Sequence, residues 1–281
     1  MKLNISIEEA IKKRVSVRTY EPKKLTEVDK EKLLKEINLL TNPFGENVRI
    51  HLIDKETASN GEKLGTYGVI KGAKTYLGVS VDKSEYGLVA AGYQFENLIL
   101  IATQMGLGTV WLAATFSRDQ FESAMSIKKG ELFPAISPIG YAADKRSITE
   151  KVMRKTLKAD VRKPWKEIFF QDSFGNPLTK EAAGVYEKPL EMLRIAPSAS
   201  NAQPWRVVSK QGFYHFYETH KPNASIEEIM IKKVDVGIGL SHFHQTALEL
   251  GLTGKFEKRA ETELNAPEDT NYLISWNLER N

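Results

Sequence analysis

The chain has 281 residues, a net charge of +4 and 41% hydrophobic residues, which is typical of a globular protein with one large domain or two small ones. The sequence contains no cysteine, which excludes disulfides, thiolate metal sites and cysteine nucleophiles. Acidic and basic residues are interspersed, so nucleic-acid binding is not indicated. Only His242 and His244 lie close together, and their spacing fits no metal-binding motif, so we expect no metal site.

The N-terminal stretch lacks the pattern of an exported chain, because Glu8 and Glu9 stand where a signal peptide would continue with apolar residues. No apolar run approaches the ~20 residues that cross a bilayer. We therefore expect a cytoplasmic protein that acts on small molecules and has neither a membrane nor a nucleic-acid partner.

The first elements place basic side chains on one face. Ser6 begins a predicted capping box and a short helix. Residues 14–20 then alternate polar and β-branched side chains, which predicts an extended segment with Arg14, Ser16 and Arg18 on the same side. Two guanidinium groups and a hydroxyl on one face suit a phosphate group. An edge strand with a solvated face is the alternative interpretation.

A second helix and a short sheet follow. Thr26 begins a helix with Leu33, Leu34 and Ile37 as its apolar stripe, and residues 48–52 alternate like a strand. The loop 65–72 is rich in glycine but lacks the P-loop pattern, and residues 76–81 form a predicted strand.

The longest apolar helical pattern covers residues 86–105 and ends at the Gly-Leu-Gly of 106–108, which predicts a core helix. Residues 109–112 follow as a strand. Ala113 and Ala114 would let a ligand approach the backbone, or would simply allow tight packing.

The first half of the chain closes with a helix and a strand. Ser117 begins a predicted capping box with Gln120. The strand 133–141 contains two prolines, which suggests a sheet edge.

The most informative stretch is 196–205, Ala-Pro-Ser-Ala-Ser-Asn-Ala-Gln-Pro-Trp. Pro204 disfavours the helical region for Gln203, so we expect extended backbone there. The serines, Asn201 and Gln203 concentrate uncharged hydrogen-bonding groups that suit a flat heterocycle. A helix stop followed by an ordinary turn is the alternative.

The second half repeats the order of elements in the first. The fold class predicted is therefore α+β, with two related units in one chain: residues 1–141, a basic connecting segment 142–178, and residues 179–281. Complementary polar half-sites on the two units imply one composite site at their junction. The predicted elements are helix 179–195, strands 205–209 and 213–218, a capping box at Ser225, the apolar run 234–250 ending at Gly251, and strand 270–276.

The segments 14–18, 106–108 and 197–205 together resemble the flavin-dependent nitroreductase family, whose members are usually homodimers with FMN at the interface. In those proteins the Pro-Ser loop comes soon after the first helices, whereas here it begins at Pro197. The chain is therefore similar to a two-unit branch in which one chain mimics the dimer. The resemblance implies a monomer that acts as a pseudo-dimer, with one FMN and a degenerate second site.

The resemblance also assigns roles. Arg14, Ser16 and Arg18 would hold the FMN phosphate, with Arg162, or else Lys145 or Arg146, as a further base. Backbone N–H groups of Ala113 and Ala114 would face flavin N5 and O4, where many relatives have Glu-Gly. The implied FMN-binding set is Arg14, Val15, Ser16, Arg18, Tyr67, Gly68, Lys71, Trp111, Leu112, Ala113, Ala114, Arg162, Pro197, Ser198, Ala199, Ser200, Asn201 and Gln203.

The function implied is that of an FMN-dependent oxidoreductase. NAD(P)H would deliver hydride to flavin N5, and an electron-poor acceptor such as a nitroaromatic or a quinone would receive the electrons. No protein side chain need act as a catalytic acid or base. The alternatives are a non-catalytic FMN-binding protein for storage or sensing, with the flavin face covered, and a two-unit scaffold that has lost FMN.

Overall fold

Two sheets form the framework of the computed structural model, which describes residues 5–55, 64–145, 147–259 and 264–278, without the side chains of 148, 149 and 154. In these ranges the first sheet has the strand order β1-β2-β4-β3 and the second has the order β5-β6-β7-β9-β8. The strands are β1 (Val48–Asp54), β2 (Thr75–Val81), β3 (Gly108–Thr109), β4 (Leu132–Gly140), β5 (Phe169–Gln171), β6 (Trp205–Lys210), β7 (Phe213–Thr219), β8 (Gly254–Glu257) and β9 (Thr270–Leu278).

Helices pack against both sheets, and the capping boxes predicted at Ser6 and Ser225 are confirmed. The predicted helix 179–195 is interrupted at Gly184, whose φ of 54° ends one helix before the next begins. In the described ranges no helix combines the length and the apolar character needed to cross a membrane. The helices are α1 (Ile7–Lys13), α2 (Glu27–Leu39), α3 (Gly87–Gln104), α4 (Arg118–Ala124), α5 (Ile148–Thr156), α6 (Lys180–Ala183), α7 (Glu187–Arg194) and α8 (Ile226–Glu249).

The two long helices α3 and α8 cross at a reciprocal pair of glycines. A Cβ atom on Gly92 would lie 2.2 Å from the carbonyl oxygen of Val234, and a Cβ atom on Gly237 would lie 2.1 Å from that of Val89. Gly237 comes 145 residues after Gly92, and Val234 comes 145 residues after Val89. The crossing therefore has the reciprocal contacts of a two-fold interface.

The same internal symmetry appears in the sheets and in the helix ends. The order β1-β2-β4-β3 matches β6-β7-β9-β8. The helices α3 and α8 both stop at a glycine with positive φ, 80° at Gly106 and 71° at Gly251. The residue after each glycine donates its N–H back to the helix, from Leu107 to Ala102 and from Leu252 to Ala247. The predicted α+β fold of two related units in one chain is confirmed.

The segment 142–178 contains more secondary structure than the sequence predicts. It includes α5, and it includes β5, which pairs in parallel with β6 so that Phe169 faces Val207. A strand that follows the first unit thus extends the sheet of the second. The division of the chain at 141 and 178 stays a prediction.

The expectation that β4 lies at a sheet edge is wrong, because β4 lies between β2 and β3. Its prolines are tolerated for two local reasons. The register with β2 shifts opposite Pro134, and β3 pairs only with Ile139 and Gly140, so the backbone of Pro138 needs no ladder partner there.

Two smaller expectations about helices are also wrong. Leu34 is exposed, while Leu33 is fully buried and Ile37 packs partly against the core. Ser117 makes no side-chain capping bond. The Gln120 side chain accepts the backbone N–H of Gly65 in place of that of Ser117.

Candidate functional site

A cavity of about 300 Å³ lies where the two units meet. The first unit contributes the extended segment after α1 and the residues after β3. The second unit contributes the loop before β6 and one face of α8, while α5 adds Met153 and the residue after α5 adds Leu157. The cavity is therefore composite, as the complementary half-sites predict.

Most of the residues predicted to bind FMN line this cavity. Those present are Arg14, Val15, Ser16, Arg18, Trp111, Leu112, Ala113, Ala114, Arg162, Pro197, Ser198, Ala199, Ser200 and Asn201.

Four predicted residues lie outside the cavity wall, and their flavin contacts stay predictions. Tyr67 is 70% exposed, and Gly68 lies beside it in the same loop. The backbone of Lys71 pairs with the segment 18–20, and Gln203 is buried within its own loop. Of the alternative phosphate bases, Lys145 is exposed outside the wall and Arg146 lies outside the described residues.

At the basic end of the cavity, buried arginine side chains lie close together. Burial lowers the pKa of Arg162, and the nearby positive charge of Arg14 lowers that pKa further. Arg18 is also buried at this end. Because like charges brought together out of water repel one another, a bound phosphate would reduce the repulsion between the guanidinium groups. The donor set therefore fits an anionic group such as that of FMN.

Arg162 also has a structural role. Its Nε donates to the carbonyl of Ile195 at 3.1 Å, and its Nη1 donates to Asn201 Oδ1 at 3.3 Å. The guanidinium group thus ties the segment after α5 to the loop before β6.

The loop 197–204 has a strained backbone held by its own side chains. Ser200, Asn201 and Gln203 have φ angles of 53°, 55° and 50°. The expectation of extended backbone at Gln203 is therefore wrong: Pro204 excludes the right-handed helical region, and the residue adopts the left-handed one. Such conformations cost ~1–3 kcal/mol each and cluster at functional sites.

Hydrogen bonds within the loop offset part of that cost. Ser198 Oγ accepts the backbone N–H of Gln203 at 2.9 Å, and Gln203 Oε1 accepts that of Lys163 at 2.7 Å. Asn201 Nδ2 donates to the carbonyls of Lys158 and Val161. The amides that the sequence singles out thus shape the loop, while its cavity side comprises residues 197–201.

Asp235 on α8 is a cavity residue that sequence reasoning missed. It is 3% exposed, its Oδ1 accepts the N–H of Ala199 at 2.8 Å, and its Oδ2 lies 3.7 Å from Lys232 Nζ. Burial raises the pKa of Asp235 to about 7, against smaller lowering effects of the Ala199 N–H and Lys232. An acid between Val234 and Val236 in an otherwise apolar run was the available signal.

The raised pKa of Asp235 predicts a pH-dependent stability. Because the folded state holds this proton more tightly than the unfolded state, the stabilising contribution is complete below about pH 4 and is lost as the pH rises toward 7. Asp235→Asn keeps an acceptor for Ala199 but cannot ionise. We expect its melting temperature to fall less between pH 5 and pH 8 than that of the wild type, measured by calorimetry. Parallel curves for the two proteins would contradict the assignment.

The other residues missed by sequence reasoning are mostly apolar. They form a wall suited to a flat ring system. Several lie on α5 and α8, and the packing of these helices brings them to the cavity. These residues are Thr115, Pro134, Ala135, Met153, Leu157, Ala159, Asp160, Ile231, Val234 and Ile238.

The place related to this cavity by the internal symmetry is filled with aromatic side chains. Trp111 and Ile238 of the cavity correspond, at the offset of 145 residues, to Phe256 and Tyr93. Phe44 packs against both of these, with ring centroids 5.5 and 5.6 Å apart. The second half of the sequence has no counterpart of segment 14–18, which forms the basic end of the cavity.

The fold and the cavity define a two-unit α+β protein with a composite cavity at the junction of the units. Residues 6–247 match the family model described as "Putative TM nitroreductase". The chain belongs to this nitroreductase family, as the resemblance predicts.

One solved structure shows the same fold over nearly the whole chain. The crystal structure of a "putative nitroreductase" from Thermotoga maritima matches 98% of this chain and 95% of its own, with 24% identity and a TM-score of 0.63. Nitroreductases with bound FMN from Bacteroides fragilis and Desulfitobacterium hafniense each match 52% of this chain and 92% of their own. Their identities are 17% and 15%, and both TM-scores are 0.42. Comparison with curated proteins finds no match.

Proposed function

We propose that this protein is an FMN-dependent oxidoreductase that takes hydride from NAD(P)H and reduces an electron-poor acceptor such as a nitroaromatic or a quinone. The observation that carries the proposal is the junction cavity, in which a basic end from one unit meets the polar loop of the other. Membership of the nitroreductase family supports the reaction class.

The cavity residues divide the work of binding. Arg14, Ser16 and Arg18 would hold the phosphate, because their guanidinium forks and hydroxyl suit its oxygens. The apolar wall of α8 would pack against the ring. When bound, FMN supplies the hydride chemistry at its N5 atom. The backbone at Ala113 and Ala114 would stabilise negative charge near the ring through its N–H groups.

We also infer that the chain works as a monomer, since both half-sites belong to one chain, and that residues 1–141 and 179–281 act as its two units, joined by 142–178. Cytoplasmic location remains part of the same proposal. Light scattering at micromolar concentration should then give the mass of a single chain, 31.7 kDa.

A flavin-binding protein without turnover is the second candidate. It is favoured by one observation: Trp111, Met153 of α5 and Leu157 just after α5 line the cavity and would cover part of a bound ring. Tyr67 is 70% exposed and lies outside the cavity wall, so it would add no such cover.

The visible absorbance spectrum separates these functions. We expect yellow protein with bands at ~370 and ~450 nm that bleach when NADH or NADPH is added without oxygen and return when a quinone follows. Colour that neither nicotinamide bleaches would favour the binding protein. Colourless protein that added FMN cannot reconstitute would overturn the proposal and leave the two-unit scaffold.

A further inference from the structure

A fully buried carboxylate on α3, outside the cavity wall, joins two side chains that line the cavity and a histidine of the other unit. Trp111 Nε1 donates to Glu96 Oε2 at 2.6 Å, and Arg14 Nε lies 3.7 Å from Glu96 Oε1. His242 Nε2, from α8 of the other unit, lies 2.9 Å from the same Oε1. Since a buried carboxylate is costly unless it is paired and hydrogen-bonded, this arrangement requires all its partners.

The partners of His242 fix where the protons lie. His242 Nδ1 is 3.1 Å from the carbonyl of Met192, which can only accept, so Nδ1 carries a hydrogen. Nε2 of His242 and Oε1 of Glu96 then form a hydrogen bond. The two side chains, 1% and 0% exposed, are therefore a hydrogen-bonded pair across the junction of the units.

The internal symmetry supplies a comparison within the same molecule. Glu96 and Asn97 correspond to Ser241 and His242 at the offset of 145 residues. Ser241 Oγ donates to Asn97 Oδ1 at 2.6 Å, so the symmetry-related pair is a neutral hydrogen bond. The same place between the helices thus has an ionisable pair on one side and a neutral pair on the other.

The ionisable pair lies on the side of the helix crossing where Trp111 and Arg14 line the cavity. Phe256, the counterpart of Trp111, has no side-chain N–H group, and the second unit has no counterpart of Arg14. Packing of the two helices alone would be served equally by either pair. The carboxylate is therefore explained by the groups that it contacts at the cavity.

We propose that Glu96, supported by His242, is a positioning residue for the cofactor: it holds the guanidinium group of Arg14 and the indole of Trp111 at the cavity wall. The inference rests on the proposed function, because it assigns these two side chains to FMN. Glu96 itself lines no part of the cavity, so it would act through Arg14 and Trp111.

The test compares Glu96→Gln with Ser241→Ala, its symmetry-related control, by equilibrium titration of FMN into apo-protein. Glu96→Gln removes the charge of a buried carboxyl group and Ser241→Ala removes a buried hydroxyl, so each disturbs a polar contact between α3 and α8 and both should lower the melting temperature. We expect Glu96→Gln to weaken FMN binding about tenfold, the scale of a charge-assisted contact, and Ser241→Ala to change it less than ~2-fold.

A double-mutant cycle adds a readout that a purely structural role would not move. In an Arg14→Ala background, Glu96→Gln should have a smaller effect on FMN affinity, because one of the two cavity side chains that it holds is already absent. An equal factor in both backgrounds, or an equal loss in Ser241→Ala, would overturn the inference. A wild type that binds no FMN would instead overturn the proposed function.

A second variant keeps the test decisive if Glu96→Gln does not fold. The double variant Glu96→Ser with His242→Asn copies the neutral pair that the protein already accommodates on the other side. It should fold and bind FMN about tenfold more weakly than the wild type. Wild-type affinity in this folded variant would contradict the inference.

Discussion

Gly237→Ala should lower the free energy of unfolding by ~3 kcal/mol, the upper range for overpacking a core. The added Cβ would lie 2.1 Å from the backbone oxygen of Val89, which cannot turn away as a side chain could. The helices must therefore separate, and the composite cavity at their junction should open with them. Urea unfolding measures the first effect, and titration with FMN measures the second.

Gly239→Ala is the matched control on the same helix. Its Cβ would meet the ring of Trp205 at 3.3 Å, a tight contact that a small ring shift relieves. Since alanine favours helix over glycine by ~1 kcal/mol, we expect little net change in stability. Gly92→Ala, related to Gly237 by symmetry, should instead be as harmful. Similar stabilities for all three variants would show that the close crossing is absent in solution.

Arg18→Ala should weaken FMN binding by ~1.5–3 kcal/mol, the usual contribution of a hydrogen bond to a charged group. Arg18 is buried at the cavity's basic end and lines the cavity, so its guanidinium group is placed to bind a phosphate. Fluorescence titration of FMN, with the melting temperature of the apo-protein as a check on folding, measures the change.

Arg49→Ala is the control for charge alone. Arg49 lies on β1 away from the cavity and pairs with Asp82 at 2.8 Å, so its removal changes the net charge equally without touching the site. We expect its FMN affinity to stay at the wild-type value. If Arg18→Ala also retained that value in a wild type that binds FMN, the phosphate would have to lie elsewhere.

Local signals in the sequence were sufficient for most elements. The capping boxes at Ser6 and Ser225 and the glycine stops at Gly106 and Gly251 depend on contacts within a few residues, so they can be predicted without the fold. The basic segment 14–18 and the Pro-Ser loop also stand out locally, but their residues alone left an edge strand and an ordinary turn open, and the family resemblance assigned their roles.

Features set by distant contacts were not predictable in this way. The prolines of β4 indicate an edge only if the neighbouring strand is long, and β3 is two residues long. Asp235 lies in an apolar run, and its role depends on the N–H of Ala199 from another element. Likewise, only the packing of α5 brings Met153 to the cavity.

The aromatic filling around Phe44 has a consequence for how such a protein can change over generations. In a homodimer every substitution appears twice, so a phenylalanine that closed one cofactor site would close both. In a single chain the two places are encoded separately. Phe44, Tyr93 and Phe256 can therefore form stabilising core on one side while the other side keeps its arginines and polar loop. Because the two units are joined in one chain, the residues at the second site can be replaced by ones that stabilise the core.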